Sequence, residues 1–501
     1  MSSTAETART GDSDPGEALG TGVRDQRKQE ARALRGAFYS GAFWSFAGYG
    51  TQTVLRLGGN LIVTRLLFPE AFGLMALVNV FIHGLTMFSD LGLGQSLIQN
   101  PRGEEPDFVN TAWSMQVLRG VGLWIASCAL APVMAAVYGQ PMLGRLIPVA
   151  SFSALVAGFN STALHTERRR LSLARMTLLS IAAQVVGLVA MVAFALRYRT
   201  VWALVVGAVV PAAVTMITSH LYLPGIRNRF RWNRVAAHEL FHFGKWIFLS
   251  TALAFLGGYS DELLLGGFLS MGELGMYRLA SFLAQASVAA VLNLSGRVLF
   301  PLYSRLAEMH AEEMRSRVWK YRLLIIMCTF PVLAGFVVFG DVVVDVLYDS
   351  RYRHSGWMLQ ILSVGAMASV MRLTLDPVLL AVGNSFRFTL QLAIRLVILV
   401  TLIVLGAVWF GMPGIIWAIA LASITEYPVL ILLVRRYGVW TPRMDALAVV
   451  GGAALIGFGF LLRPFLLNSV VTPFMTGLQR LFMPLIDLLK TLVYLTMMWI
   501  S

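Results

Sequence analysis

Apolar runs of about 20 residues or more follow one another along almost the whole chain, divided only by short polar breaks. A helix of that length crosses the hydrocarbon core of a bilayer, so the fold class expected is an all-α polytopic membrane protein with about twelve to fourteen spans. Hydropathy places spans near 38–66, 71–98, 110–138, 142–164, 173–196 and 201–223. Six more follow near 243–269, 274–302, 321–348, 356–382, 388–410 and 413–434, with two weaker candidates near 445–463 and 481–500. The last carries Asp487 and Lys490 about one turn apart, and either spans with a neutralised pair or lies in the interface as an amphipathic helix.

Charge usage agrees. Only 13% of residues are charged, about half the share of a soluble domain, which excludes a soluble class and leaves no room for a hidden catalytic domain. The formal charge of +14 does not mark a nucleic-acid partner, because the basic residues sit in alternate short loops. Lys and Arg collect in cytoplasmic loops. Arg24 to Arg35, Arg168 to Arg175, Arg227 to Lys245, Arg305 to Arg322, Arg387 and Arg435 to Arg443 share one side, which predicts that both termini are cytoplasmic. Residues 1–36 lack the apolar core of a signal peptide and read as a disordered cytoplasmic tail. Cys128 and Cys328 each fall within a predicted span and read as inert small hydrophobes.

An internal repeat emerges when Phe72-Gly73-Leu74 is laid over Leu274-Gly275-Met276, which also brings Leu61 to Leu67 over Leu263 to Leu269. The expected organisation is an N-lobe of six helices (37–223), a basic linker (224–242), a C-lobe of six helices (243–436) and a C-terminal pair (437–501). Six helices before the basic break and six after it give two lobes of the same orientation, a parallel repeat whose interface is where secondary transporters place their substrate.

Several segments resemble the Wzx-type polysaccharide and oligosaccharide flippases, close to their WzxC-like branch, of the multidrug/oligosaccharidyl-lipid/polysaccharide superfamily. Thr64-Arg65-Leu66-Leu67-Phe68-Pro69-Glu70-Ala71-Phe72-Gly73-Leu74 looks like the family's turn between its first two helices, and Ser89 to Gln99 is similar to its D-x-G-x-x-x-A-L-I-Q stretch. Ser260 to Leu269 with Leu274-Gly275-Met276-Tyr277, and Leu299-Phe300-Pro301-Leu302-Tyr303-Ser304-Arg305-Leu306, carry the resemblance into the second half. Gly267 departs from it, standing where many members have Arg. The resemblance implies two six-helix lobes around a cavity that opens alternately to each side of a bacterial inner membrane. It implies as substrate a polyprenyl diphosphate-linked oligosaccharide, with polysaccharide polymerase and export machinery as partners, no cofactor, and no bond made or broken.

Charges inside the spans are the chemical signal that stands apart from the resemblance, since each costs about 2.5–3.5 kcal/mol at a helix centre. Arg suits a diphosphate because its planar fork binds bidentately. Arg56, Arg119 and Arg278 are the expected substrate-binding residues. Asp90, Asp261, Glu262 and Glu426 are candidates for a coupling proton or cation, although Asp90, beside Gly92 and Gly94, also reads as the cap of a helix break. Arg372 and Asp376, spaced i, i+4, are expected to pair. His238-Glu239-Leu240-Phe241-His242 matches the zinc-protease pattern, but it lies in a basic loop without a third ligand or a cleft, and no metal is expected. A drug or small-molecule exporter of the same superfamily is the nearest rival. A membrane enzyme is the more distant one, for the predicted outward loops are short.

Overall fold

The structure, a computed structural model, describes residues 44, 47–169, 173–306, 311–467 and 469. The first half comprises α1 (47–66), α2 (Pro69–Phe88), α3 (Leu93–Gln99), α4 (Pro106–Val137), α5 (Leu143–Gly158), α6 (Ala163–Arg169), α7 (Leu173–Tyr198) and α8 (Trp202–Leu221). The second comprises α9 (Arg234–Phe268), α10 (Met271–Leu294), α11 (Phe300–Leu306), α12 (Ala311–Leu347), α13 (Ser355–Leu373), α14 (Asp376–Ala381), α15 (Ser385–Val434) and α16 (Pro442–Leu466). No strand occurs among the described residues, and nine of the helices there are long and apolar enough to cross a membrane. The expected tail at 1–36 and the span near 481–500 lie outside the described residues.

Where the helices differ from the expected spans, a local cause is visible. The span near 71–98 breaks after Phe88: Asp90 Oδ1 accepts the Gly92 amide at 3.0 Å, and Gly92 takes φ +59, a left-handed conformation that stops α2 and starts α3. The span near 142–164 breaks between α5 and α6, whose axes diverge by 60°. Gly411, at φ +60, bends α15 into two arms that match the spans near 388–410 and 413–434. The end of the stretch expected as a linker is already helical, because Asn233 caps α9 by accepting the Val235 and Ala236 amides.

The arginine-rich loops lie at one end of the bundle, here called the basic end. At the opposite end the helix pairs α1–α2 and α9–α10 each turn within two residues, 67–68 and 269–270, the second closed by a Ser270/Glu273 capping box. There α2 crosses α10 with backbones nearly touching. A Cβ on Gly73 would lie 1.9 Å from the Met271 carbonyl oxygen, and a Cβ on Gly275 1.9 Å from that of Pro69. Since apolar surface gains nothing by leaving lipid, association rests on such close packing of small residues. The two contacts exchange under the same shift that lays Gly73 over Gly275, as a two-fold relation between these segments requires.

A second contact fastens the same end. In the turn between α12 and α13, Arg351 Nη2 donates to the Arg65 carbonyl at 2.9 Å and Tyr352 Oη to the Leu67 carbonyl at 3.0 Å. These take up carbonyls that the end of α1 leaves free, while the Arg351 guanidinium lies 4.7 Å from the Phe68 ring centroid. A buried cluster including Leu77, Leu146, Leu274 and Met358 surrounds the crossing.

Candidate substrate cavity

The first half is hollow from the basic end past the middle of the bundle, its smallest cavity reaching Val63 and Leu204. Four adjoining cavities of about 710, 820, 350 and 290 Å³ share lining residues and form one cleft among α1, α2, α4, α5, α7 and α8. Asn160 lines three of them, and Arg168 stands between the two largest.

The break in the fourth span exposes backbone to this cleft, and side chains from three directions satisfy it, as irregular backbone at membrane depth demands. Gln116 Nε2 donates to the carbonyls of Ala157, Gly158 and Asn160 at 3.0–3.3 Å. His220 Nε2 lies 2.8 Å from the Phe159 carbonyl. Ser161 N–H donates to Ser219 Oγ at 3.1 Å, and Thr162 N–H to Asn228 Oδ1 at 3.2 Å. The side-chain oxygen Oδ1 of Asn160 is left buried without a partner among the described residues.

Arg119, on α4, lines the 710 Å³ cavity. Its Nε donates to Ser89 Oγ at 3.0 Å and its Nη2 to the Thr86 carbonyl at 2.6 Å, while Nη1 stands 3.9 Å from Asp90 Oδ1. The Thr86 carbonyl, which also accepts Ser89 Oγ at 3.0 Å, thus orients the guanidinium, and Asp90 both caps the break and balances its charge. Arg56, on α1, is exposed at the 290 Å³ cavity, which Phe282 of α10 also lines; its Nη2 makes a long contact to Thr53 Oγ1, 3.5 Å. Arg278 precedes Phe282 by one turn on α10 and so shares its face, but its guanidinium pairs with Glu262 of α9. Arg168 was read from sequence only as a topology marker; it is exposed and lines two of the cavities.

The second half holds a separate charge cluster. Tyr277 Oη donates to Asp261 Oδ2 at 2.7 Å. Glu426 forms ion pairs with Arg395 at 3.1 Å and Arg372 at 3.2 Å, and Arg372 also pairs with Asp376 as its spacing predicted. Gln391 donates to the other Asp376 oxygen at 2.8 Å. Arg278 and Arg395 both lie within electrostatic reach of Asp261, which joins the two groups. Three guanidiniums, Arg278, Arg372 and Arg395, thus meet four carboxylates, Asp261, Glu262, Asp376 and Glu426. The Glu262 Oε2 atom is buried without a hydrogen-bond partner among the described residues.

The protease-like motif is engaged differently. Glu239 receives Arg102 Nη1 at 3.0 Å and Asn100 Nδ2 at 3.4 Å, tying α9 to the loop before α4. The rings of His238 and His242 are 6.3 Å apart, and no group of three His, Cys, Asp or Glu suited to a metal occurs among the described residues.

The fold has known counterparts. The lipid II flippase MurJ in an inward closed conformation aligns with TM-score 0.67 over 91% of this chain and 97% of that one, at 12% identity. An inward-facing multidrug resistance MATE family transporter of the MOP superfamily aligns with TM-score 0.60 over 79% and 95%, at 13% identity. In sequence, the lipopolysaccharide biosynthesis protein WzxC of Escherichia coli (strain K12) is 24% identical over 78% of this chain and 80% of its own. The succinoglycan biosynthesis transport protein ExoT of Rhizobium meliloti (strain 1021) is 24% identical over 64% and 65%. Residues 62–356, more than half of the chain, match the family model described as polysaccharide biosynthesis protein, and the chain belongs to that family.

Proposed function

We propose that this protein is a flippase that carries a polyprenyl diphosphate-linked oligosaccharide from the cytoplasmic to the outer leaflet of a bacterial inner membrane, without making or breaking a bond. The observation that carries this reading is the cleft: furnished with Arg56, Arg119 and Arg168, open toward the basic end and closed at the other by the Gly73–Gly275 crossing. By the distribution of loop charge the basic end and both termini are cytoplasmic, so the cavity faces the side on which a lipid-linked sugar is assembled. A diphosphate needs cations in a wet site, and exposed guanidiniums provide them. The names of the polysaccharide biosynthesis and transport relatives support the substrate class, and the two lobes act as halves of an alternating-access transporter, with Arg56 and Arg278 on its facing helices.

Asp261, Glu262 and Glu426 are the coupling site in this reading. When fully ionised their cluster carries one more carboxylate than guanidinium, and a buried carboxylate oxygen without a partner is costly, so one proton or monovalent cation balances it. Asp90, already committed to Gly92 and Arg119, serves chiefly to hold Arg119. A multidrug exporter remains the second reading because the MATE transporter shares the fold. Reconstituting the full chain in liposomes with undecaprenyl diphosphate-linked oligosaccharide separates the two. Faster transfer of that lipid between leaflets supports the flippase, and transport of cationic dyes with no lipid transfer refutes it.

A further inference from the structure

Resting on that reading, we propose that the cleft is divided, and that a neutral compartment on α1 and α7 binds the sugar unit next to the diphosphate. The cavity of about 710 Å³ contains Arg119, Arg168, His165 and Asp90. The adjoining cavities of about 820 and 350 Å³ are lined by no acid, and by one base, Arg168, at the border. Their polar groups are amides and hydroxyls, and polar side chains at membrane depth mark functional surfaces.

These groups are held in a fixed pattern. Gln52 Nε2 donates to Ser180 Oγ at 2.9 Å, Ser180 Oγ donates to the Thr177 carbonyl at 2.8 Å, and Gln184 Nε2 donates to the Gln52 carbonyl at 2.9 Å. One N–H of each glutamine amide is thereby engaged, and each amide keeps a second N–H and an oxygen; Asn160 Oδ1 is buried with no partner among the described residues. Away from Arg168, a lining of uncharged amides and hydroxyls holds no cation for phosphate or carboxylate and suits sugar hydroxyls, which both donate and accept. Tyr49 is 36% exposed beside Gln52 in the same compartment, offering an aromatic face to the apolar side of a pyranose. Amides, hydroxyls and one aromatic ring fit a neutral sugar better than a lipid tail or an anion, and the volumes are those of small-molecule sites. Arg168, on the border, addresses the phosphate to which that sugar is bonded.

The test uses the full chain in nanodiscs and measures binding of undecaprenyl diphosphate alone and of the same lipid bearing one glucose, galactose or N-acetylglucosamine. The wild type is expected to bind at least one glycosyl probe about tenfold more tightly than the bare lipid. Gln52→Leu, Gln184→Leu and Tyr49→Ala should each remove most of that gain with little change toward the bare lipid, whereas Arg119→Ala should weaken both probes. Equal losses on both probes, or no gain from any sugar in the wild type, overturn the compartment while leaving the flippase reading intact. If neither class of probe binds the wild type, the substrate class fails and the compartment with it.

Discussion

Replacing Gly73 by Ala places a methyl group 1.9 Å from the Met271 carbonyl oxygen, whereas ordinary contact begins at 3.4 Å, so α2 and α10 must part by about 1.5 Å at their crossing. Met271 opens α10 and its oxygen is backbone, so no side-chain rotation relieves the clash. Overpacking of this kind costs about 1–3 kcal/mol, and only in the state in which the outer end is closed. The equilibrium between inward- and outward-open forms should therefore move roughly 5- to 150-fold toward outward-open. Because the chain has only two cysteines, a Cys128→Ser, Cys328→Ser background carrying Gln184→Cys places one thiol in the cleft. A membrane-impermeant maleimide added from the outer side should label it slowly in that background and much faster with Gly73→Ala, while protein level and melting temperature hold. Gly275→Ala should do the same, and the double variant should fall short of the sum because both act at one crossing. Unchanged outer-side labelling in both single variants would refute the assignment of this crossing as the outer closure.

Other consequences follow from single contacts. Arg322, fully buried, donates to Tyr427 Oη at 2.7 Å, Asp445 at 2.9 Å and Thr374 Oγ1 at 3.2 Å; Arg322→Ala leaves Asp445 its hydrogen bond from Trp440 Nε1 but no counter-charge and should cost about 3 kcal/mol, read as a lower melting temperature that Arg322→Lys does not restore. Asp261→Asn and Glu426→Gln should leave lipid binding intact and abolish the response of transport to an imposed proton or sodium gradient; a preserved response in both would remove the coupling site. Chiefly through the hydrogen bond from the Arg351 side chain, Asp349 is held below its ordinary value of 3.8. A lowered carboxyl stabilises fully above its ordinary value and loses that contribution as pH falls through the lowered one. The outer opening, read by a spin-label distance across that end because thiol reactivity itself falls with pH, should then stay closed from pH 7 to about 4 and open only below, while Asp349→Asn opens it already at pH 7.

Much of this architecture was legible because bilayer thickness and loop charge leave few options. Most of the spans expected from hydropathy overlap described helices, nine of which are long and apolar enough to cross a membrane, and the register that laid Gly73 over Gly275 is the one in which the two glycines contact each other's neighbours. The Arg372–Asp376 pair followed from helical spacing. The cleft was less legible. A search for charge finds Arg56 and Arg119 but passes over Gln52, Asn160 and Gln184, whose importance depends on which helix faces meet. The break after Gly158 carries no proline and is made by caps distant in sequence, Gln116, Ser219, His220 and Asn228. Arg322 sits among loop arginines in the sequence, and only the packing of α12 against α16 reveals it as buried.

The transport claim is tested most directly in cells, by locating the lipid-linked repeat unit after the gene is deleted. The account predicts that one surface polysaccharide is lost, that its undecaprenyl diphosphate-linked unit accumulates in the inner leaflet, out of reach of a glycosidase added from outside, and that wild type but not Arg119→Ala restores export. Unchanged polysaccharide in the absence of a second flippase, or accumulation of the unit in the outer leaflet, would contradict it.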